Sequence, residues 1–284
     1  MPEFIERCEM QVTGGVAKMV TALGEMVDYR LPVGDEMVGL NEFIGQTIRL
    51  KYEGTIHCVA CGRKTKKSFS QGHCYPCSQK LASCDLCIMK PETCHHAKGT
   101  CREPEWGEAN CMQDHFVYLA NTSGLKVGIT RGSQVPTRWM DQGATQALPI
   151  FKVPTRLISG LVEVICKNHV ADKTDWRKML KGDGEPMELL ARRDELLELC
   201  AAELDALRGE QGEGAINMLP EAEVVEIRYP VLEYPAKVSA LNLDKTPEVQ
   251  GVLKGIKGQY LMLDSGVLNV RKYGGYDVTV GVGG

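Results

Sequence analysis

The chain has 284 residues, 43% hydrophobic and 25% charged, with a formal net charge of −4. That is globular composition for roughly two or three domains, which excludes collagen, coiled coil and a disordered tail. No run reaches the ~18 apolar residues that a membrane helix needs, and the net charge argues against nonspecific nucleic-acid binding over the whole surface.

The first 35 residues alternate weakly around Gln11–Val20 and Glu25–Leu31, which predicts short strands. Ile44–Tyr52, Glu53-Gly54 and Thr55–His57 read as a hairpin whose second strand runs into Cys58. From Cys58 to Cys111 there is little apolar periodicity, so a hydrophobic core alone cannot hold the segment. Phe116–Ala120 and Leu125–Ile129, joined by Asn121-Thr122-Ser123-Gly124, form a predicted hairpin. Ser159–His169 reads as a helix with Leu161, Val162, Ile165 and Cys166 on one side, and Glu163 and Lys167 at i,i+4. Met187–Leu207 is a second helix, acidic outside, started by Pro186 and carrying Cys200 on its apolar stripe. The tail from Glu223 predicts short strands, Tyr260–Leu263, Val267–Val270 and Tyr276–Val280, in a small barrel or curled sheet.

Charge follows the same divisions. Residues 116–181 hold ten basic and four acidic side chains, and 182–229 hold four and thirteen. The acidic helix is expected to face away from a nucleic acid or to shield the basic block.

Nine of the 12 cysteines fall between Cys58 and Cys111. The N-terminus has no basic region followed by an apolar one, so the expected location is cytoplasmic. Clustered cysteines there read as metal ligands rather than disulfides. Cys58-x2-Cys61 and Cys74-x2-Cys77 are two knuckles that complete a tetrahedron around a structural zinc. Cys84 and Cys87 begin a second zinc site, with Cys101 and Cys111 completing it and Cys94 or His95 as a replacement or supporting group. Both sites are expected to be structural, because four thiolates leave no open position and the second segment is poor in polar catalytic partners.

Phe116-Val117-Tyr118, a turn, Lys126-Val127-Gly128-Ile129-Thr130, Arg138 and Glu163 follow one another in the basic block. This order resembles the core of GIY-YIG nucleases, in which a hairpin carries two tripeptides and is followed by an arginine and a helical glutamate. The resemblance implies Tyr118 near the nucleophilic water, Arg138 on the phosphate and Glu163 holding Mg2+ or Mn2+. It departs at Phe116, which replaces a glycine, and at Lys126, which replaces the second tyrosine as in a lysine-bearing subgroup. Lys126 could contact phosphate but would be a poor base unless desolvated. CGRKTKKSFSQGHCYPC, CDLCIMKPETCHH, GTCREPEWGEANC, YLANTSGLKVGITR, PTRWMDQGATQALPI and GIKGQYLMLDSGVLNVRK together resemble a bacterial family known only as domain of unknown function 2797, which implies no activity.

Arg63, Lys64, Lys66 and Lys67 between the knuckles, with Arg131, Lys152 and Arg156 after them, are candidate phosphate contacts. Phe69, Tyr75, Trp106 and Trp139 lie among these charges as candidate stacking platforms. The expected fold is α+β: an N-terminal β-rich segment (1–57), a zinc-ribbon-type module (58–114), a central GIY-YIG-like α/β domain (115–181), an acidic helix and linker (182–222), and a β-rich, barrel-like C-terminal part (223–284). The expected function is zinc-stabilised binding of DNA or RNA, with metal-dependent cleavage. The alternative is a non-catalytic adaptor for a protein or ribonucleoprotein. No membrane partner is expected.

Overall fold

A computed structural model describes residues 10–283, so Cys8 and the rest of residues 1–9 of the expected N-terminal segment lie outside the described residues. The chain is mixed α and β, with several antiparallel sheets. It divides into two compact units, one made of the described residues up to Ser78 together with those from Arg228, the other of Gln79–Ile227. The cysteines of 58–114 therefore fall in both units rather than in one contiguous module.

In the first unit, Met10–Gly15, Tyr276–Val282, Thr47–His57, Glu248–Lys257, Tyr260–Leu263 and Gly266–Asn269 lie side by side in that order, all antiparallel. The N-terminal segment and the C-terminal part, read from the sequence as separate, thus share one sheet. Leu50 is the reason, because it pairs with Val280 on one side and Val249 on the other. All three are buried. Beta-branched and aliphatic residues stacked across strands are what stabilise such a row. A smaller sheet joins Val20–Ala22, Asp28–Val33 and Glu36–Gly39.

The hairpin expected at Glu53-Gly54 is instead one continuous strand, Thr47–His57. Tyr276 pairs with Ile56 and Val278 with Tyr52, so residues 53–55 oppose Asp277 alone. The glycine, at φ +78°, forms a bulge there and not a chain reversal.

The second unit is built on a five-stranded antiparallel sheet. His115–Asn121 lies between Leu125–Arg131 and Gln146–Val153, and the latter also pairs with Asn217–Met218 and Val225–Glu226. The expected hairpin is present, but Gln146–Val153 is an element the sequence reading lacked. Its interior Pro149 argues against a central strand. In the fold, Val117 pairs with Phe151 and Tyr118 with Pro149, so the proline sits at a bulge that spares the ladder.

Two helices cover this sheet. Arg156–Cys166 starts three residues earlier than expected, capped by Thr155, whose hydroxyl accepts from Ile158 N at 3.2 Å. It buries Ile158, Val162 and Cys166 at helical spacing. Leu189–Gln211 buries Leu189, Leu196, Cys200, Leu204 and Leu207 into the same core. The acidic helix is thus an integral layer of the central unit. Among the described residues no helix is long and apolar enough to cross a membrane.

Candidate functional site

The first cysteine group forms at the end of the long strand. Thr47–His57 delivers Cys58, Lys64–Thr65 folds back onto Ile56 and His57, and Cys74 leads into the helix Tyr75–Lys80. Gly62, at φ +68°, turns the first knuckle and donates its N–H to Cys58 O at 2.8 Å. Gly274-Gly275 lets the sheet approach closely, with Gly275 O accepting from His57 N at 2.7 Å. The ligand atoms of Cys58, Cys61, Cys74 and Cys77 all lie within 4.8 Å of one another. Cys61 Sγ and Cys74 Sγ are 3.8 Å apart, matching the ~3.8 Å edge of a tetrahedron built on ~2.3 Å Zn–S bonds. Burial works to raise the Cys58 thiol, yet backbone N–H groups of Cys74, Ala60 and Cys61 aimed at its sulfur outweigh it and bring it down to about 6. This group could hold a zinc ion.

In the central unit Tyr118 lies in the field of Arg138 and Glu163, and Lys126 in that of Arg138, Glu163 and Asp172. Tyr118 comes from the middle strand, Lys126 and Gly128 from its hairpin partner, Arg138 from the short helix Thr137–Asp141, and Glu163 from Arg156–Cys166. Gly128 makes this possible, because a Cβ there would lie 2.7 Å from the Tyr118 hydroxyl. Tyr118 is fully buried, with Trp139 packed edge-on at 5.9 Å. Burial pushes its phenol up to about 12, which suits a hydrogen-bonding group and not a base.

With its amide oxygen facing the guanidinium, Gln142 accepts from Arg138 Nε and Nη2 at 3.2 and 3.1 Å and donates to Tyr118 Oη at 2.7 Å. The buried tyrosine therefore holds Arg138 through Gln142. Lys126 is only 4% exposed. Burial, then the charge of Arg138, bring its ammonium down to about 8, against the opposite pull of Glu163 and Asp172. Burial raises the Glu163 carboxyl above its usual range while Lys126 holds it down. The desolvation that a basic lysine requires is present.

Three residues of this cluster had no motif to announce them. Gln142 follows a short helix, and Glu92 belongs to the cysteine-rich segment. Asp172 arrives because Val127 N donates to Ala171 O at 2.8 Å, laying the post-helix segment along the hairpin.

The candidate phosphate contacts separate. Arg63, Lys64, Lys66 and Lys67 are exposed in the first unit. There, Lys67 lies over Phe69 at 5.5 Å, and Phe69 packs edge-on against Tyr75, itself 58% exposed. Lys66, Lys67 and Lys272 line a cavity of about 340 Å³. In the second unit Lys152 pairs with Asp114 at 2.7 Å. Arg131 and Arg156, expected on a basic face, are half-buried. Arg131 donates to Asn110, and Arg156 Nη2 donates to Ile88 O at 2.7 Å. Trp139, expected to stack on bases, is buried under Tyr118, and Trp106 is half-buried beside the second cysteine group.

That second group occupies a layer of single 3-10 turns, Ala82–Cys84, Leu86–Ile88, Pro91–Thr93 and His96–Lys98, closed by the helix Pro104–Cys111. Cys87, Cys94, Cys101 and Cys111 line one small cavity with His95 and His96, whereas Cys84, the expected first ligand, does not. Asp85, Cys87 and His95 place their ligand atoms within 4.8 Å of one another, and Asp85 also pairs with Arg102 at 2.6 Å.

No curated protein and no solved structure matches the chain. A family model matches residues 45–278, a span that takes in both cysteine groups and the Tyr118–Glu163 cluster, and the chain accordingly belongs to the family described as protein of unknown function (DUF2797).

Proposed function

We propose that this is a zinc-stabilised nucleic-acid-binding protein whose central unit carries a GIY-YIG-like site for divalent-metal-dependent phosphodiester cleavage. One observation supports the reading: a buried tyrosine and a desolvated lysine lie in the field of an arginine and a helical glutamate that follow them in the chain. Arg138, held by Gln142 and Tyr118, is the charge available to a phosphate. Glu163, with Asp172 beside it, offers carboxylate oxygen for Mg2+ or Mn2+, which take one or two carboxylates and complete their shell with water and phosphate. Such an ion, when bound, stabilises charge on the phosphoryl oxygens. Lys126 is the group able to move a proton near neutral pH. Tyr118 acts through Arg138 and not on water.

The exposed lysines of the first unit support binding, since each cation that neutralises a phosphate releases counterions. Incubating the protein with Mg2+ or Mn2+ and mixed DNA and RNA tests the enzymatic half. Cleavage by wild type and none by Glu163→Ala is expected, and equal inactivity of both on every substrate defeats it.

A second reading, a non-catalytic adaptor for a protein or ribonucleoprotein, is favoured by Leu86 and Met89. They are 61% and 79% exposed on the cysteine-rich layer, where apolar side chains mark interaction surfaces when they form a patch.

A further inference from the structure

We infer that the cavity lined by Lys66, Lys67 and Lys272 holds the terminal phosphate of an unpaired nucleic-acid strand, with the base beside it stacked on Tyr75. All the residues concerned belong to the first unit. The cavity measures about 340 Å³ and also draws on Ser68, Gln71, Asp244 and Tyr276, a size within the range of small-ligand sites. Its polar groups come from two places far apart in the sequence, the loop between the cysteine knuckles and the C-terminal part of the chain.

Charge decides the kind of anion. Lys272 is already engaged: its Nζ donates to Asp244 Oδ2 at 2.9 Å and to Asn242 Oδ1 at 3.3 Å, while Tyr276 Oη donates to Asp244 Oδ1 at 2.8 Å. Three ammonium groups and one carboxylate leave a balance of +2 along the lining, carried by the exposed Lys66 and Lys67. A phosphomonoester brings about −1.5 to −2 near neutral pH, whereas each phosphate inside a strand is a diester with a single charge. The terminal phosphate is the better match. Ser68 adds a hydroxyl whose oxygen accepts from Gly72 N at 2.7 Å, so that its proton is left to donate.

The loop is held in place by its own hydrogen bonds. Phe69 and His73 exchange backbone bonds of 2.8 and 3.0 Å, His73 Nδ1 donates to Ser70 O at 2.7 Å, and Arg271 Nε donates to Gln71 Oε1 at 2.9 Å. Between them Ser70 and Gln71 keep φ at +42° and +56°, left-handed backbone that residues other than glycine hold only where the surroundings impose it. Lys67 links the two halves of the site, since it lines the cavity and lies 5.5 Å from the centre of the Phe69 ring. Phe69 in turn packs edge-on against Tyr75 at 5.5 Å, and Tyr75 is 58% exposed. A base inside a duplex is already stacked on its neighbours, so an unpaired one is what that ring can take. That the ligand is a nucleic acid rests on the function proposed above; the charge of the cavity does not.

Fluorescence anisotropy at low salt tests the site, with zinc-loaded protein and one short single-stranded oligonucleotide, in DNA and in RNA, bearing a 5′ phosphate, a 3′ phosphate or hydroxyls at both ends. A phosphate at one of the two ends is expected to tighten binding about tenfold, the worth of one charge-assisted contact. Lys272→Ala, which bares Asp244, is expected to abolish that gain. Lys272→Ala combined with Asp244→Ala, which restores the charge balance, is expected to return it. Tyr75→Ala should weaken all three forms and leave the gain in place; unchanged affinity there overturns the stacking role. Equal affinity for the three forms overturns the terminal-phosphate site and leaves the nucleic-acid reading standing, whereas no binding of any form removes both. A gain untouched by Lys272→Ala, or not returned by the double variant, overturns the cavity as its seat. A nucleoside monophosphate that binds as tightly as the phosphorylated oligonucleotide assigns the site to free nucleotide and overturns the strand. Should Lys272→Ala fail to fold, the gain must be lost in Lys66→Ala, an exposed position, and its persistence there overturns the site.

Discussion

Lys126 shows how one residue's environment changes its chemistry. In water its ammonium would be inert near neutrality, but burial beside Arg138 brings it down to about 8, leaving about one molecule in ten neutral at pH 7. A group that must be neutral to accept a proton gains its active form as pH rises. Cleavage measured in single turnover is therefore expected to climb about tenfold per unit below pH 8 and level off above it. Lys126→Arg, which stays charged, should flatten that rise; a wild-type profile already flat from pH 6 to 9 would remove the lysine from the reaction. Gly128 makes a different point. Its missing Cβ leaves the Tyr118 hydroxyl its place, so Gly128→Ala should force the ring aside at a cost of ~1–3 kcal/mol, as overpacking does. Denaturant unfolding should show the loss, together with weakened cleavage. Unchanged stability would mean that the tyrosine has room to spare.

At the scale of elements, the periodic segments were legible and the punctuated ones were not. Tyr118 and Lys126 could be placed on the two strands of one hairpin because alternation and the Asn-Thr-Ser-Gly turn agree. Gln146–Val153 was hidden by Pro149, a residue that speaks against a strand unless a bulge absorbs it. Glu53-Gly54 misled in the opposite sense, since a positive-φ glycine serves a bulge as well as a turn. The helix Leu189–Gln211 was legible as amphipathic, yet its acidic outer face obscured how deeply its inner one is buried. Leu196 is 2% exposed within the core that also holds Val117 and Val162. Leu196→Ala should cost ~2–5 kcal/mol. A shift in thermal unfolding too small for that range would mean that the helix packs only loosely.

For the whole molecule, the cysteine spacing revealed the first group that could hold a zinc ion, because two CxxC knuckles twelve residues apart allow few other geometries. It did not show which of the later cysteines lie together, since their spacing is irregular and depends on which single turns face one cavity. Nor could charge tallies separate arginines that meet solvent from arginines that serve as internal ties, as Arg131 and Arg156 do. The long-range pairing of Thr47–His57 with Tyr276–Val282 was equally invisible, since nothing local records a partner more than two hundred residues away. The proposed binding of a polyanion rests on the exposed lysine group of the first unit. The most direct measurement of that claim is the affinity of the zinc-loaded protein for single-stranded and double-stranded DNA and RNA as salt rises from about 50 to 200 mM. A steep linear fall of log affinity with log salt, made shallower in Lys66→Ala and Lys67→Ala, is the predicted result, and no measurable binding at the lowest salt would contradict it.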